Sequence, residues 1–382
     1  MRICILTTVH TPFDTRVFHK EAKSLAKVHE VVLVAPDEER ADKEVDGVRV
    51  ITIKKPESKL LHPVTMWRVF KAGFKQDCDV YHCHEPGSLF VGMILKVLKR
   101  RNLVYDAHEH YASLIASNRI FPKIIRGIIG WVSFKSELTL SRFADYIIVV
   151  RGDLETIFEK VNENVEIIYV CPDLSFFPLK KVNREDLVIY VGAVDIEKRG
   201  LDVFLASLVI VSKKIKHIKY LVVGTIPEDD LSFATEYLNR NNMADRFEYT
   251  GWVDYNAVPE YLRRAKIGVI LLQPVYYNNI MGIPNKLFDC MAAGIPVIAS
   301  KFPNISKIVK EADCGILVDP TDAEDVADAV VYLVEHPEEA KRMGENGRRA
   351  VEERYNWDKM EEKLLKLYGT MINESDNKSK RN

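Results

Sequence analysis

The chain has 382 residues, enough for two domains at roughly 150 residues each. Its 54 basic and 55 acidic side chains leave a net charge of −1, which excludes a nucleic-acid binder working by bulk charge. Hydrophobic residues at 47% and charged residues at 29% exclude a disordered chain. The start, Met1 to Leu6, reads as a first β-strand. It turns polar at His10, Asp14 and Arg16, too soon for a signal peptide. No stretch approaches the ~20 apolar residues of a membrane helix. Six cysteines without a C-x-x-C spacing fit a reducing compartment, so a cytoplasmic protein is expected.

Short β-branched runs alternate with helical patterns. Strands are expected at 2–8, 30–35, 48–53, 80–84, 103–107, 146–150 and 165–170, nearly continuous in apolar character as in a parallel sheet covered on both faces. A second set is expected at 187–192, 220–224, 247–250, 267–272, 296–300 and 315–318. Two doubly wound α/β sheets follow, one Rossmann-like domain over 1–171 and another over 185–356, joined by a proline-containing linker. Trp357, Met360, Leu364, Leu365 and Tyr368 form a helical stripe with Asn356 as N-cap, giving a helix at 357–372. Residues 373–382 lack apolar side chains and are expected to form a disordered tail.

Charge is uneven: residues 1–150 carry a net +6 and residues 151–382 a net −7. The excess lies in two stretches. One has Trp67, Phe70 and Phe74 among Lys59, Arg68, Lys71 and Lys75. The other has Phe121, Ile124, Ile125, Ile128, Ile129, Trp131 and Phe134 among Arg119, Lys123, Arg126, Lys135 and Arg142. Basic side chains beside bulky apolar ones suit an anionic membrane surface; an amphipathic helix packed on a sheet has the same pattern.

Ligands of doubly wound sheets sit beyond the carboxyl ends of strands. Two such places are Tyr81-His82-Cys83-His84-Glu85 and Asp106-Ala107-His108-Glu109-His110. His82, His84, His108 and His110 read either as zinc ligands of a hydrolase or as a source of one polar catalytic histidine. In the second domain, Gly282-Ile283-Pro284-Asn285-Lys286 opens a short helix with Pro284 at its first position and Gly294 at its end. Free N–H groups of that helix start, with Lys286, make an anion site, and Asp289 one turn on can accept from ligand hydroxyls. Gly192 to Gly200, with Lys198 and Arg199, is a second anion-friendly element at a strand end. G-x-G-x-x-G is absent after the first strand, against an NAD or FAD enzyme.

Taken in order, these stretches resemble the retaining glycosyltransferases of family 4, from about Arg2 to Tyr368. The landmarks are Asp14-Thr15-Arg16-Val17-Phe18-His19, Tyr81-His82-Cys83-His84-Glu85-Pro86, Tyr105-Asp106-Ala107-His108-Glu109, residues 187–200 and 283–300, and Cys314 to Pro320. The resemblance implies a GT-B fold, two Rossmann-like domains facing a central cleft with the 357–372 helix crossing back to the first domain, and sugar transfer from a nucleotide-diphosphate sugar to a glycan or lipid-linked acceptor. It places His108 at the donor sugar as the catalytic residue. Arg199, Lys198, Gly282, Ile283, Asn285 and Lys286 would lie at the donor phosphates, Asp289 at the ribose, and Asp14, Arg16, His84 and Glu109 on the acceptor side. No metal or other cofactor and no nucleic acid is expected, and the enzyme would work in the cytoplasm, peripherally on the inner membrane face. Two positions depart from the family: Met281 stands where the first of a pair of acids is expected, and Ala193 where an arginine is common. A donor-sugar grip through Tyr276, Asn278 or Asn279 is the expected substitute. A nucleotide-sugar epimerase using Asp106 and Glu109, and a non-catalytic donor-binding subunit, are the alternative readings.

Overall fold

The computed structural model describes residues 1–117, 122–178 and 183–379. The chain divides into two compact units, Met1–Val170 with Asp358–Asn382, and Cys171–Trp357.

The first unit is built on a sheet of eight strands: β1 Arg2–Leu6, β2 Glu30–Asp37, β3 Ala41–Val45, β4 Val48–Lys54, β5 Val80–Cys83, β6 Asn102–Ala107, β7 Tyr146–Val149 and β8 Val165–Ile167. Their order is β3-β4-β2-β1-β5-β6-β7-β8, and all neighbours are parallel except β3 and β4. Every strand expected in this half is present. Cys4, Leu6, Val32, Tyr81, Tyr105 and Ile147 belong to one buried cluster. The strands are apolar throughout because helices cover both faces. Gly92, in helix Pro86–Lys99, lets that helix lie tightly on β5, since a Cβ there would stand 2.4 Å from Cys83 Sγ.

One strand, β3, was not expected. Ala-Asp-Lys-Glu-Val is exposed along nearly its whole length, and it pairs antiparallel with β4 through a turn at Asp46-Gly47, both at positive φ (52° and 78°).

The segment after β1 is a π-helix, Thr15–Ala22, continued as α-helix over Lys23–Ala26. A π-turn takes in residues five apart. Arg16 and Glu21 therefore share the inward face, with Arg16 Nη2 2.9 Å from Glu21 Oε1.

The last helix, Trp357–Ser379, packs on the first unit through buried Met360, Leu364, Leu367, Tyr368 and Met371. Lys363 pairs with Glu166 and Glu361 with Lys27. It extends past residue 372, through most of the segment expected to be a disordered tail. Asn356, just before this helix, donates its side-chain Nδ2 to the Val351 and Glu352 carbonyls of the preceding helix.

The second unit carries six parallel strands: β9 Leu187–Val191, β10 Lys219–Val223, β11 Phe247–Tyr249, β12 Ile267–Ile270, β13 Val297–Ser300 and β14 Gly315–Val318. Their order is β11-β10-β9-β12-β13-β14, again with every expected strand present. The order reverses between β9 and β12, which makes the ends of those strands a switch point where ligands bind.

Candidate functional site

In the second unit the switch point is lined by cations. β9 is followed by Gly192, whose φ of +103° favours glycine. A Cβ at Gly192 would meet Lys286 Nζ at 3.2 Å, so the bare backbone makes room for that ammonium group. Lys286 lies in helix Asn285–Ala292, and its Nζ also sits 4.7 Å from the Tyr190 ring centroid. Pro284 is the N-cap of this helix, one residue earlier than its expected place at the first helical position. The backbone N–H groups of the first turn are the helix's free donors.

Asp195 caps the short helix Ile196–Arg199, and Gly200 ends it in the left-handed conformation. Arg199 is braced from two sides. Its Nη1 donates to Asn279 Oδ1 at 3.2 Å, and its carbonyl accepts from the buried Tyr190 hydroxyl at 2.8 Å. Asn279 in turn donates to the carbonyls of Lys198 and Gln273. Among the described residues none of Lys198, Arg199 and Lys286 makes an ion pair with a carboxylate. Burial, and then the nearby Arg199 charge, push the Lys286 ammonium down to about 7. An anion here would relieve both effects.

Asp289, one turn beyond Lys286, is 5% exposed, and its Oδ1 accepts from the Tyr255 hydroxyl at 2.7 Å. Gly282 and Ile283 precede the helix, and Asn285 is exposed at its start. Met281 ends helix Tyr277–Met281, and its carbonyl accepts from Asn304. Asn279, expected as a substitute donor-sugar grip, is instead the brace of Arg199. Its amide is consumed by the backbone and by that guanidinium.

In the first unit the histidines form a buried network with two acids. Asp106 Oδ2 takes Arg16 Nε at 2.7 Å and stands 3.2 Å from His84 Nδ1, while its Oδ1 takes Arg16 Nη2 at 3.1 Å. His82 and His84 share one face of β5 with stacked rings, 4.6 Å apart and 12° from parallel. His82 Nδ1 meets the hydroxyl of Tyr368, from the last helix, at 2.8 Å. Burial drives His82 well below the ordinary histidine range, with His84 adding to the effect. Burial raises Glu21 well above the usual carboxylate range, against the pull of Arg16. Asp106 goes the other way: burial opposes its ionisation, but Arg16, His108 and His84 hold it ionised.

His108 is the member of this group that keeps some exposure, 13% of its side chain. Its Nε2 lies 3.0 Å from His10 Nε2 and 3.2 Å from the Tyr111 hydroxyl, and its Nδ1 faces Asp106 Oδ1 at 3.8 Å. Asp14 caps the π-helix by accepting from the N–H groups of Arg16 and Val17, and reaches His10 at 3.3 Å. Glu109 lies 4.0 Å from Arg151 and is 41% exposed.

Three expectations need correction. Arg16 and His84, placed on the acceptor side, are enclosed, at 5% and 0% exposure, and Arg16 spends its guanidinium on Asp106, Glu21 and the Ile168 carbonyl. His110 does not join the other histidines: it bonds Ser113 at the start of helix Tyr111–Ser117. With His82 and His84 fully buried, the four histidines cannot form the open site of a hydrolase. Asp106, fully buried against Arg16, is likewise unable to serve an epimerase as its acid or base. Sequence reasoning missed Glu21 and Tyr368, which only the π-turn and the returning helix bring in.

Both units of the chain match known protein families. Residues 185–336 match the family description "Glycosyl transferases group 1", and residues 14–176 match "Glycosyltransferase Family 4". The chain belongs to glycosyltransferase family 4. The phosphatidyl-myo-inositol mannosyltransferase of Mycobacterium leprae is 25% identical to this glycosyltransferase over 77% of its chain and 74% of the relative. The N-acetyl-alpha-D-glucosaminyl L-malate synthase of Bacillus anthracis is 26% identical over 79% and 77%. Among solved structures, sucrose-phosphate synthase from Thermosynechococcus elongatus matches at a TM-score of 0.77, with 20% identity over 97% of this chain and 99% of the other. Anabaena HepE in complex with UDP matches at 0.74, with 15% identity over 97% and 100%. These likenesses establish the GT-B fold, and the glycosyltransferase takes its sugar from a nucleotide-sugar donor.

Proposed function

We propose that this glycosyltransferase moves the sugar of a nucleotide-diphosphate donor with retention of configuration, without a metal in the transfer step, to a glycan or lipid-linked acceptor at the cytoplasmic face of a membrane. The observation that carries the donor half is the trio Lys198, Arg199 and Lys286, cations with no carboxylate partner among the described residues, gathered at a strand switch point beside a helix N-terminus. A diphosphate is the anion that three cations and a row of N–H groups suit. Asp289, presented by Tyr255, is the acceptor for ribose hydroxyls.

In the transfer, the bond from the anomeric carbon to the diphosphate oxygen breaks while the acceptor hydroxyl forms a new bond on the same face. Negative charge grows on the leaving diphosphate, and Lys286, Arg199 and the helix N–H groups are fixed donors for it. These side chains do what a divalent ion does elsewhere. We assign His108 the task of positioning the transferring sugar, its ring set by His10, Tyr111 and Asp106.

The acceptor half rests on the surface of the first unit. Helices His62–Phe74, Pro86–Lys99 and Lys123–Ser141 pack in succession. They expose Trp67, Phe74, Val97, Leu98, Ile124, Ile128 and Trp131, with Ile124 80% exposed. Lys71 lies over the Trp67 ring and Lys99 over Phe74, at 5.0 and 4.4 Å. Apolar side chains facing water among lysines are what an anionic bilayer attracts. Arg119 and Phe121 lie outside the described residues. Among the described residues no helix is long and apolar enough to cross a membrane.

Thermal unfolding with UDP, GDP, ADP, CDP and dTDP, with and without EDTA, tests the donor site. One diphosphate should shift the transition of the wild type in both buffers and fail on Arg199→Ala; no shift with any of them removes the proposal. NMR of the product with the matching nucleotide sugar reads retention from the anomeric coupling. Liposome flotation should show binding to anionic vesicles that falls with salt; its absence removes the membrane half.

A further inference from the structure

We propose that Glu21, His82 and His84 hold a divalent transition-metal ion, zinc by the chemistry of the donors, inside the first unit. The three side chains have 0% exposure. Glu21 Oε2, His82 Nε2 and His84 Nε2 are buried and make no hydrogen bond, while Glu21 Oε1 pairs with Arg16 Nη2 at 2.9 Å. Orphaned buried polar atoms are rare, because each loses its solvation without compensation. Here they converge: Glu21 Oε2 lies 3.4 Å from His82 Nε2 and 3.7 Å from His84 Nε2. The first pair is within hydrogen-bond reach without making a bond, and the second lies beyond it. Ligands at about 2.0–2.1 Å from a tetrahedral ion stand about 3.3–3.4 Å from one another, near the spacing found.

The backing is that of a metal site as well. A metal-bound imidazole is oriented through its other nitrogen. His82 Nδ1 meets the Tyr368 hydroxyl at 2.8 Å, while His84 Nδ1 stands 3.2 Å from Asp106 Oδ2 as a charge contact without an aligned hydrogen bond. Asp106 belongs to the same group, whose ligand atoms all lie within 4.8 Å of one another, but both its oxygens hold Arg16, so a water would complete the tetrahedron. Charge agrees. Glu21 and Asp106 face one cation, Arg16, on which the Asp14 carboxylate also acts. Two imidazoles and a carboxylate without sulfur suit zinc. Such an ion would be structural. It would join the π-helix, β5 and, through Tyr368, the last helix, and take no part in the transfer, so this inference stands apart from the proposed function.

The full untagged chain, produced with zinc in the medium and dialysed against EDTA, is unfolded in guanidinium, and released metal is read by mass spectrometry. About one equivalent of zinc is expected from the wild type and from His336→Ala, an exposed control, with under about a tenth from His82→Ala and His84→Ala. X-ray absorption at the zinc edge of the wild type needs no variant. It should show imidazole nitrogen and carboxylate oxygen at about 2.0–2.2 Å and no sulfur. Wild type released with under about a tenth of an equivalent of any transition metal overturns the proposal. So does sulfur in the absorption spectrum, or zinc retained by folded His82→Ala and His84→Ala. In those cases a trapped proton is the positive charge among Glu21, His82 and His84.

Discussion

Lys286 should affect stability and binding in opposite directions. Its ammonium is drawn down from 10.5 to about 7, chiefly by burial. At about 1.36 kcal/mol per pKa unit, the full shift corresponds to roughly 5 kcal/mol, an upper bound. Lys286 is half-buried, so solvent screening brings the expected effect to about 1–2 kcal/mol. Lys286→Met keeps the aliphatic stem and removes the charge, so it should stabilise the unliganded enzyme by that amount, about 2–8 °C in a domain of this size. The sign follows from proton counting. Between pH 7 and 10.5 the unfolded chain holds the proton that the folded one has released, so wild-type stability rises with pH there. The advantage of Lys286→Met should therefore be greatest at pH 7 and below, and vanish near pH 10.5. Affinity for the nucleotide sugar, whose phosphates do not titrate in this range, should fall at least about tenfold in the variant at pH 6.5. Scanning fluorimetry across pH and calorimetric titration with the donor read the two effects. A variant less stable than wild type at pH 6.5, or one that binds donor equally well, would refute the reasoning.

Four other outcomes are expected. Tyr255→Phe, which removes the hydroxyl held by Asp289, should raise the KM for donor about threefold to tenfold with little change in kcat. His108→Ala should lower kcat by about a hundredfold while leaving the melting temperature within a few degrees; an unchanged kcat removes it from the transfer step. Asp106→Ala strips the buried Arg16 of its bidentate partner and should cost about 3–5 kcal/mol in denaturant titration, and a loss under about 1 kcal/mol would contradict the buried ion pair. Glu137, buried against the Tyr105 hydroxyl, is raised to about 7 by burial, so the folded chain holds its proton between pH 4.5 and 7 and loses stability as pH rises through that window. Glu137→Gln should stabilise the enzyme at pH 8 and lose that advantage toward pH 4.5, as thermal melts across pH will show.

Most of the fold was legible because parallel strands covered on both faces are apolar at every position, and such runs stand out between helical patterns. The strand β3 escaped for the opposite reason. An edge strand with charged residues facing water resembles a loop, and the Asp46-Gly47 turn was its only strong signal. At the proposed donor site, strand ends and a helix start single out Lys286 and Arg199, since both follow from local pattern. What local pattern could not supply was which polar residues are spent on each other. Arg16 reads as a surface cation until the π-turn brings Glu21 beneath it, and Asn279 reads as a ligand group until its amide is seen bracing Arg199. His110 sits two residues from His108, yet the turn into the next helix sends it to Ser113.

Tyr368 is separated from its partner His82 by 286 positions. A ribosome that has made all of β1 to β8 has still not made the helix that completes their core. The first unit to emerge is therefore the last to be finished, and it must wait, with the surface that receives Leu364, Tyr368 and Met371 open, while the whole second unit is synthesised. Nascent chains stalled before residue 357 should hold a folded second unit beside an unfinished first one, and a deletion that removes the last helix should damage the opposite end of the sequence.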